Sequence, residues 1–164
     1  MMDALIAADR IEVAALSGIP KSVINRAKQI LKKMDVEILS DIVEIGGDSN
    51  PIDFEDVIGA AHGLGDSVGG IIECAVMGLK PGSCGDANFD GLESRISEAV
   101  FGIPAVKGIE FGAGFKASRM LGSANNDAFY FDGDGNVKTR TNNAGGILGG
   151  IANGMPVVFR AAFK

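Results

Sequence analysis

The stretch TNNAGGILGGIANGMPVVFRAAFK, residues 141–164, decides how the rest of this 164-residue chain is read. It holds two glycine pairs, Gly145–Gly146 and Gly149–Gly150, each beside apolar residues, and then an apolar run from Pro156 to Phe163 that reads as a final strand. Paired glycines allow a backbone to approach a flat or bulky group that side chains would keep away. That group is either another part of the same backbone or a ligand, and composition leaves both readings open.

Working back from this stretch, the polar run from Gly122 to Asn143 reads as a loop or a mobile flap, with a hairpin turn at Asp132-Gly133-Asp134-Gly135-Asn136. A third strand region extends from Ala105 to about Phe115. Before it, a helix with Leu92, Ile96, Ala99 and Val100 on one face is expected to begin near Asn88 to Asp90, after Pro81-Gly82 has closed an apolar strand from Ile71 to Leu79. A short helix from about Ile52 to His62 and a strand from Val36 to Ile45, ended by Gly46-Gly47, complete the pattern. Strands alternating with helices in this irregular way predict an α+β sandwich and not a doubly wound sheet. Further back, Pro20 suits a first helical position, and Val23, Ile24, Ala27, Ile30, Leu31 and Met34 form an apolar stripe. Lys21, Arg26, Lys28, Lys32 and Lys33 make that helix basic, either as a solvated face or as a surface for nucleic acid or a partner.

The composition bounds the chemistry. The chain is 46% hydrophobic and 22% charged, has 24 glycines, about twice the usual share, and can bury a core without disulfides or a structural metal. Cys74 and Cys84 form no C-x-x-C pair, which fits a reduced, cytoplasmic setting, and there is neither a long apolar run nor a secretory leader pattern. A single histidine, His62, excludes a histidine-containing triad, a zinc–histidine cluster or an H-E-x-x-H site built from this sequence alone. Residues 1–35 carry six Lys/Arg against four Asp/Glu, whereas residues 36–164 carry nine against seventeen, and Gly18 is the only glycine before Gly46. A compositional boundary therefore falls near residue 35.

Several partial motifs do not carry function. Asp86-Ala87-Asn88-Phe89-Asp90-Gly91 begins like a calcium loop, but its twelfth position is Ser97 where a bidentate Glu is needed, so an N-capping role is expected for its polar residues. Gly63-Leu64-Gly65 follows a helix and not a strand, against a dinucleotide fingerprint. His62 is expected to cap or lie on the surface, and Cys74 to be a small core residue. No metal site is expected.

Four segments together, in order and spacing, carry a resemblance: GDSVGGIIECAVMGL (65–79), IPAVKGIEFGAGF (103–115), GSANND (122–127) and residues 141–164. They resemble chorismate synthase, over roughly residues 27–164. The resemblance implies an incomplete β-α-β sandwich in residues 35–164, a homotetramer, and 1,4-elimination of phosphate from 5-enolpyruvylshikimate 3-phosphate to give chorismate in the shikimate pathway, with reduced FMN undergoing no net redox change. It also implies FMN contacts from the backbone around Pro104 and Ala105, from Gly149, and from Lys164 as the first residue of a Lys-Pro-Thr flavin segment. A glycine-lined flavin site would give the paired glycines a ligand. The Gly-Glu-Ser-His-Gly motif, the arginine-rich substrate loops and the Arg-His-Asp-Pro-Cys segment of that family do not occur in this sequence, and His62 matches none of its histidines. No catalytic residue is assigned, and the chain alone is expected to be inactive.

The first part resembles something else. ADRIEVAALSGIPKSVINRAKQILKKM (8–34) is similar to the C-terminal helical segment of MutS mismatch-repair ATPases, without any ATPase motif, so residues 1–34 are expected to form a separate helical segment. The rival reading is a non-enzymatic interaction module, or a fusion or truncated product, in which this basic helix meets a MutS-type partner or DNA. A nucleic-acid partner is not expected under the enzyme reading, nor is a membrane.

Overall fold

The computed structural model describes residues 35–164 and positions 29, 32 and 33. The basic helix and the MutS-like segment expected before residue 35 therefore lie outside the described residues, apart from these three positions.

The elements in chain order are β1 (Glu37–Ile45), α1 (Phe54–Gly63), β2 (Gly70–Met77), α2 (Leu92–Phe101), β3 (Val106–Phe111), a 3-10 turn (Gly114–Arg119), α3 (Gly122–Asn125), β4 (Phe129–Phe131), β5 (Val137–Thr139), β6 (Ile147–Leu148), β7 (Ile151–Ala152) and β8 (Val157–Phe163). Four strands make one antiparallel sheet in the order β1-β2-β8-β3. The last strand in sequence is thus an inner strand of the sheet. Its alternation decides which face is buried: Val157, Phe159 and Ala161 point one way, at 0%, 1% and 0% exposure. Cys74 and Phe111 stand opposite Phe159, and Ile72 and Ile109 opposite Ala161, so apolar rows run across the sheet. The Phe111 and Phe159 rings meet at a centroid distance of 5.8 Å.

Helix α2 covers this face with Leu92, Ile96 and Val100, one residue per turn, and these join the β8 residues, Ile103, Val106, Ile147 and Ala152 in one core. Helix α1 has no buried residue. One sheet with a helical layer on one face is the α+β arrangement expected, present as part of a sandwich. Cys74 is fully buried in the core, and His62 is exposed in the last turn of α1.

Three local expectations change. Helix α2 begins at Leu92 after the N-cap Gly91, without a side-chain cap. Asp86 instead turns its carboxylate onto Asn88 N, and the first helical N–H, that of Leu92, donates to Gly150 O at 2.8 Å. The third strand stops at Phe111, because Gly112 (φ +52) is pressed so closely against Asn143 and Gly145 that a Cβ there would collide with their backbone. Finally, residues 122–143 are folded and not a loop, holding α3 and the β4–β5 hairpin whose turn falls at the expected Asp132–Asn136. Among the described residues no helix is long and apolar enough to cross a membrane, and no group of three or more His, Cys, Asp or Glu is placed to hold a metal ion.

Candidate functional site

At the end of β8, the chain reaches the starts of two neighbouring strands. The backbone N–H of Lys164 donates to Ala105 O at 3.0 Å, just before β3, and its Nζ donates to Ser67 O at 2.7 Å, just before β2. Gly69 makes this convergence possible, since a Cβ on it would strike the Phe163 carbonyl. Ala105 takes φ +72, a left-handed conformation that costs an L residue roughly 1–2 kcal/mol. Pro104, Ala105 and Lys164 are all exposed, so this corner presents a strained backbone edge beside an ammonium.

Gly149 lies elsewhere. It and Gly150 form the turn of the β6–β7 hairpin, with φ +57 and +83, and the Gly150 carbonyl meets the N-terminus of α2. Ala105 follows the C-terminus of the same helix, whose ten residues span on the order of 15 Å at 1.5 Å each. The structure therefore joins Ala105 and Lys164 and leaves Gly149 apart. It also divides the glycines by role: a Cβ on Gly145, Gly146 or Gly150 would run into backbone, whereas one on Gly149 would meet nothing within 4 Å. Close packing of the chain on itself accounts for three of these four glycines, and Gly149 alone offers open space.

The segment leading into the hairpin is tied down by Asp127, which is 6% exposed. Its Oδ1 accepts from Thr141 Oγ1 at 2.6 Å and Asn143 N at 2.8 Å, and its Oδ2 accepts from Ala144 N at 2.8 Å. Burial pushes this carboxyl up, but the hydrogen bonds from Thr141, Ala144 and Asn143 outweigh it, so the group titrates below its ordinary value. Asn142 completes the clamp, donating to Pro156 O and accepting from Gly146 N.

On the sheet face away from α2, Asp41, Glu73, Arg160 and Glu110 stand opposite one another across the four strands. Arg160 donates to Glu73 at 3.1 Å, to Glu110 at 2.9 Å and to Gly112 O at 3.3 Å, while Glu110 also accepts from Phe115 N. Each guanidinium nitrogen makes one hydrogen bond, and Glu110 ties the 3-10 turn to this row through Phe115 N. Replacing Arg160 with alanine leaves two carboxylates facing the gap, and is expected to cost about 1–2 kcal/mol given partial exposure, read as a lower urea midpoint. An unchanged midpoint would show that the row contributes nothing to stability. Neither Asp127 nor this row is among the residues expected from sequence. Glu73 and Arg160 interrupt apolar strands, which is a usable signal, but the partners of Asp127 lie 14 to 17 residues away.

The sequence model described as "Chorismate synthase" matches residues 22–164. The chain is 56% identical over 112 residues to chorismate synthase of Chitinophaga pinensis, covering 68% of this chain and 32% of that protein. It is 38% identical over 162 residues to the chorismate synthase of Methanothermobacter thermautotrophicus, covering 84% and 43%. A solved structure titled "Crystal Structure of Chorismate Synthase" superposes with a TM-score of 0.77 at 29% identity, covering 84% of this chain and 51% of that one. The chain thus spans about half of the solved chain, and less of the curated relatives.

Proposed function

The chain belongs to the chorismate synthase family, and we propose on that premise that it carries a flavin-facing part of an enzyme that eliminates phosphate from 5-enolpyruvylshikimate 3-phosphate to give chorismate. The observation that carries this reading is the hydrogen bond from Lys164 N to Ala105 O, which sets two residues matched to the family's flavin segments side by side. The donor set at this corner suits a flavin: an exposed backbone edge at Pro104–Ala105, and one ammonium to face the electron-rich edge of a planar ring. Reduced FMN would supply transient electron density to the elimination. The residues of this chain would bind and orient it, Lys164 offering positive charge from a side chain anchored on Ser67. Gly149 is proposed as a flavin contact on its own turn, separated from that corner by the length of α2.

The substrate bears a phosphate and two carboxylates, and its recognition needs several Lys or Arg groups. Residues 36–164 have eight more acids than Lys and Arg together. The chain alone is therefore proposed to be inactive, with a homo-oligomer or the remainder of the family fold completing the site. Residues 1–34 are proposed as a separate helical segment.

The test is anaerobic titration of the full chain with reduced FMN, followed by the flavin absorbance and by a chorismate assay. Saturable binding without chorismate is expected, weakened about tenfold in Lys164→Ala and unchanged in Lys116→Ala. Chorismate formation by the chain alone would overturn the proposed inactivity. A folded chain that binds no flavin would overturn the site.

A further inference from the structure

A cleft of about 690 Å³ opens at the other end of β8 from Lys164, between the β4–β5 hairpin and the segments 77–81 and 154–156. Seven residues of β8 at about 3.3 Å each separate it from the flavin corner by roughly 20 Å. Its volume lies within the range of small-molecule sites.

The walls differ in chemistry. Met77, Leu79 and Met155 give a half-buried apolar floor, in which the two unbranched thioethers can adjust to a ligand's outline. The hairpin gives the opposite wall. Tyr130 pairs with Lys138 across the two strands, so ring and ammonium share the hairpin face that lines the cleft. The Arg140 guanidinium stands 5.4 Å from the Tyr130 ring centroid. Lys80 brings a further ammonium from the floor side.

Charge makes the cleft stand out. The chain carries a net charge of −6, yet the cleft is lined by Lys80 and Lys138 against one carboxylate, Asp132. That carboxylate is turned into its own loop, accepting from Asn136 N at 2.8 Å, Asn136 Nδ2 at 3.1 Å and Asp134 N at 3.0 Å. A local excess of cations on an acidic protein, set around an apolar floor and an aromatic wall, selects for a ligand with both an anionic head and an apolar ring.

We infer that this cleft binds a small ring carboxylate, its ring between Tyr130 and the Met77–Met155 floor and its carboxylate toward Lys80 and Lys138. A bare inorganic anion would leave the floor unused, and a neutral ring would leave the ammoniums unused. The site does not depend on flavin binding, because no residue of the Ala105–Lys164 corner lines it.

The test uses the full chain and 4-fluorobenzoate, followed by fluorine NMR. A saturable shift is expected, with affinity falling about five- to tenfold in Lys80→Gln and in Lys138→Gln and unchanged in Lys116→Gln, a lysine that does not line this cleft. 4-Fluorobenzyl alcohol is expected to bind at least tenfold more weakly, and inorganic phosphate at equal concentration to leave the shift in place. Any of three results would overturn the inference: no saturable shift in a chain with native circular dichroism, equal binding of the alcohol, or full affinity in both lysine variants. Displacement by phosphate would overturn it as well, reducing the cleft to a plain anion site.

Discussion

Replacing Asp127 with alanine is expected to lower the stability of the chain by about 3–5 kcal/mol, measured as a loss in unfolding free energy by urea denaturation. Three donors converge on this buried carboxylate, and truncation leaves the half-buried backbone N–H groups of Asn143 and Ala144, and the Thr141 hydroxyl, without their acceptor. Each such orphaned donor costs on the order of 1–3 kcal/mol, and bonds to a charged acceptor lie at the upper end. Asp127→Asn keeps the shape but turns an N–H toward one of the donors, so a smaller loss of about 1–3 kcal/mol is expected. A denaturation midpoint for the alanine variant matching that of the parent would remove the clamp from the account of the fold.

The same carboxylate sets an acid limb. Its hydrogen bonds hold it below the ordinary value of 3.8 in the folded chain, so the unfolded state binds a proton more readily than the folded one. The stability this contributes is present above about pH 4 and is lost as pH falls through the folded value. The acid unfolding curve of Asp127→Asn is therefore expected to be shallower than that of the parent below pH 4. Parallel curves would assign the acid limb to other groups.

Phe159→Ala is expected to be as severe, at about 3–5 kcal/mol. Phe159 is 1% exposed, on an inner strand, opposite both Cys74 and Phe111 and in ring contact with the latter. Its removal opens a cavity between the sheet and α2 that rigid neighbours on both sides cannot close. Phe159→Leu, which keeps most of the volume, should cost about 1.5 kcal/mol or less. Equal losses in the two variants, compared by thermal denaturation, would show that the ring contact and not the filled volume carries the effect.

Much of the fold was legible in the residues themselves. The apolar run from Pro156 to Phe163 marked the last strand, and the spacing of Leu92, Ile96, Ala99 and Val100 marked a helix with one apolar face. Both patterns are local and persist because one side of each element must leave water. The hairpin turn at Asp132–Asn136 was legible for the same reason, since Asp132 bonds within its own loop. The start of α2 was not: the polar residues before it turn inward on one another, and the first helical N–H finds its partner in Gly150, far along the chain.

The candidate site was legible only as separate words. The segments 103–115 and 141–164 pointed to a family that binds flavin, but spacing along the chain says nothing about which residues meet. The antiparallel insertion of β8 between β2 and β3 brings Lys164 to Ala105 and leaves Gly149 at the other end of α2.

Local pattern by itself determined the α+β class and the placement of most strands and helices, and the resemblance of four segments pointed to the family. Tertiary structure decided that Gly145, Gly146 and Gly150 serve the chain's own packing and that Gly149, the fourth of these paired glycines, faces open space. It decided that Asp127 holds the segment before the hairpin, and that the cleft beside the β4–β5 hairpin and the Ala105–Lys164 corner lie at opposite ends of β8. The division has a physical cause. Periodicity is imposed on neighbouring residues by burial of a face, whereas hydrogen bonds and close backbone approaches between distant segments depend on a register that exists only once the sheet has formed.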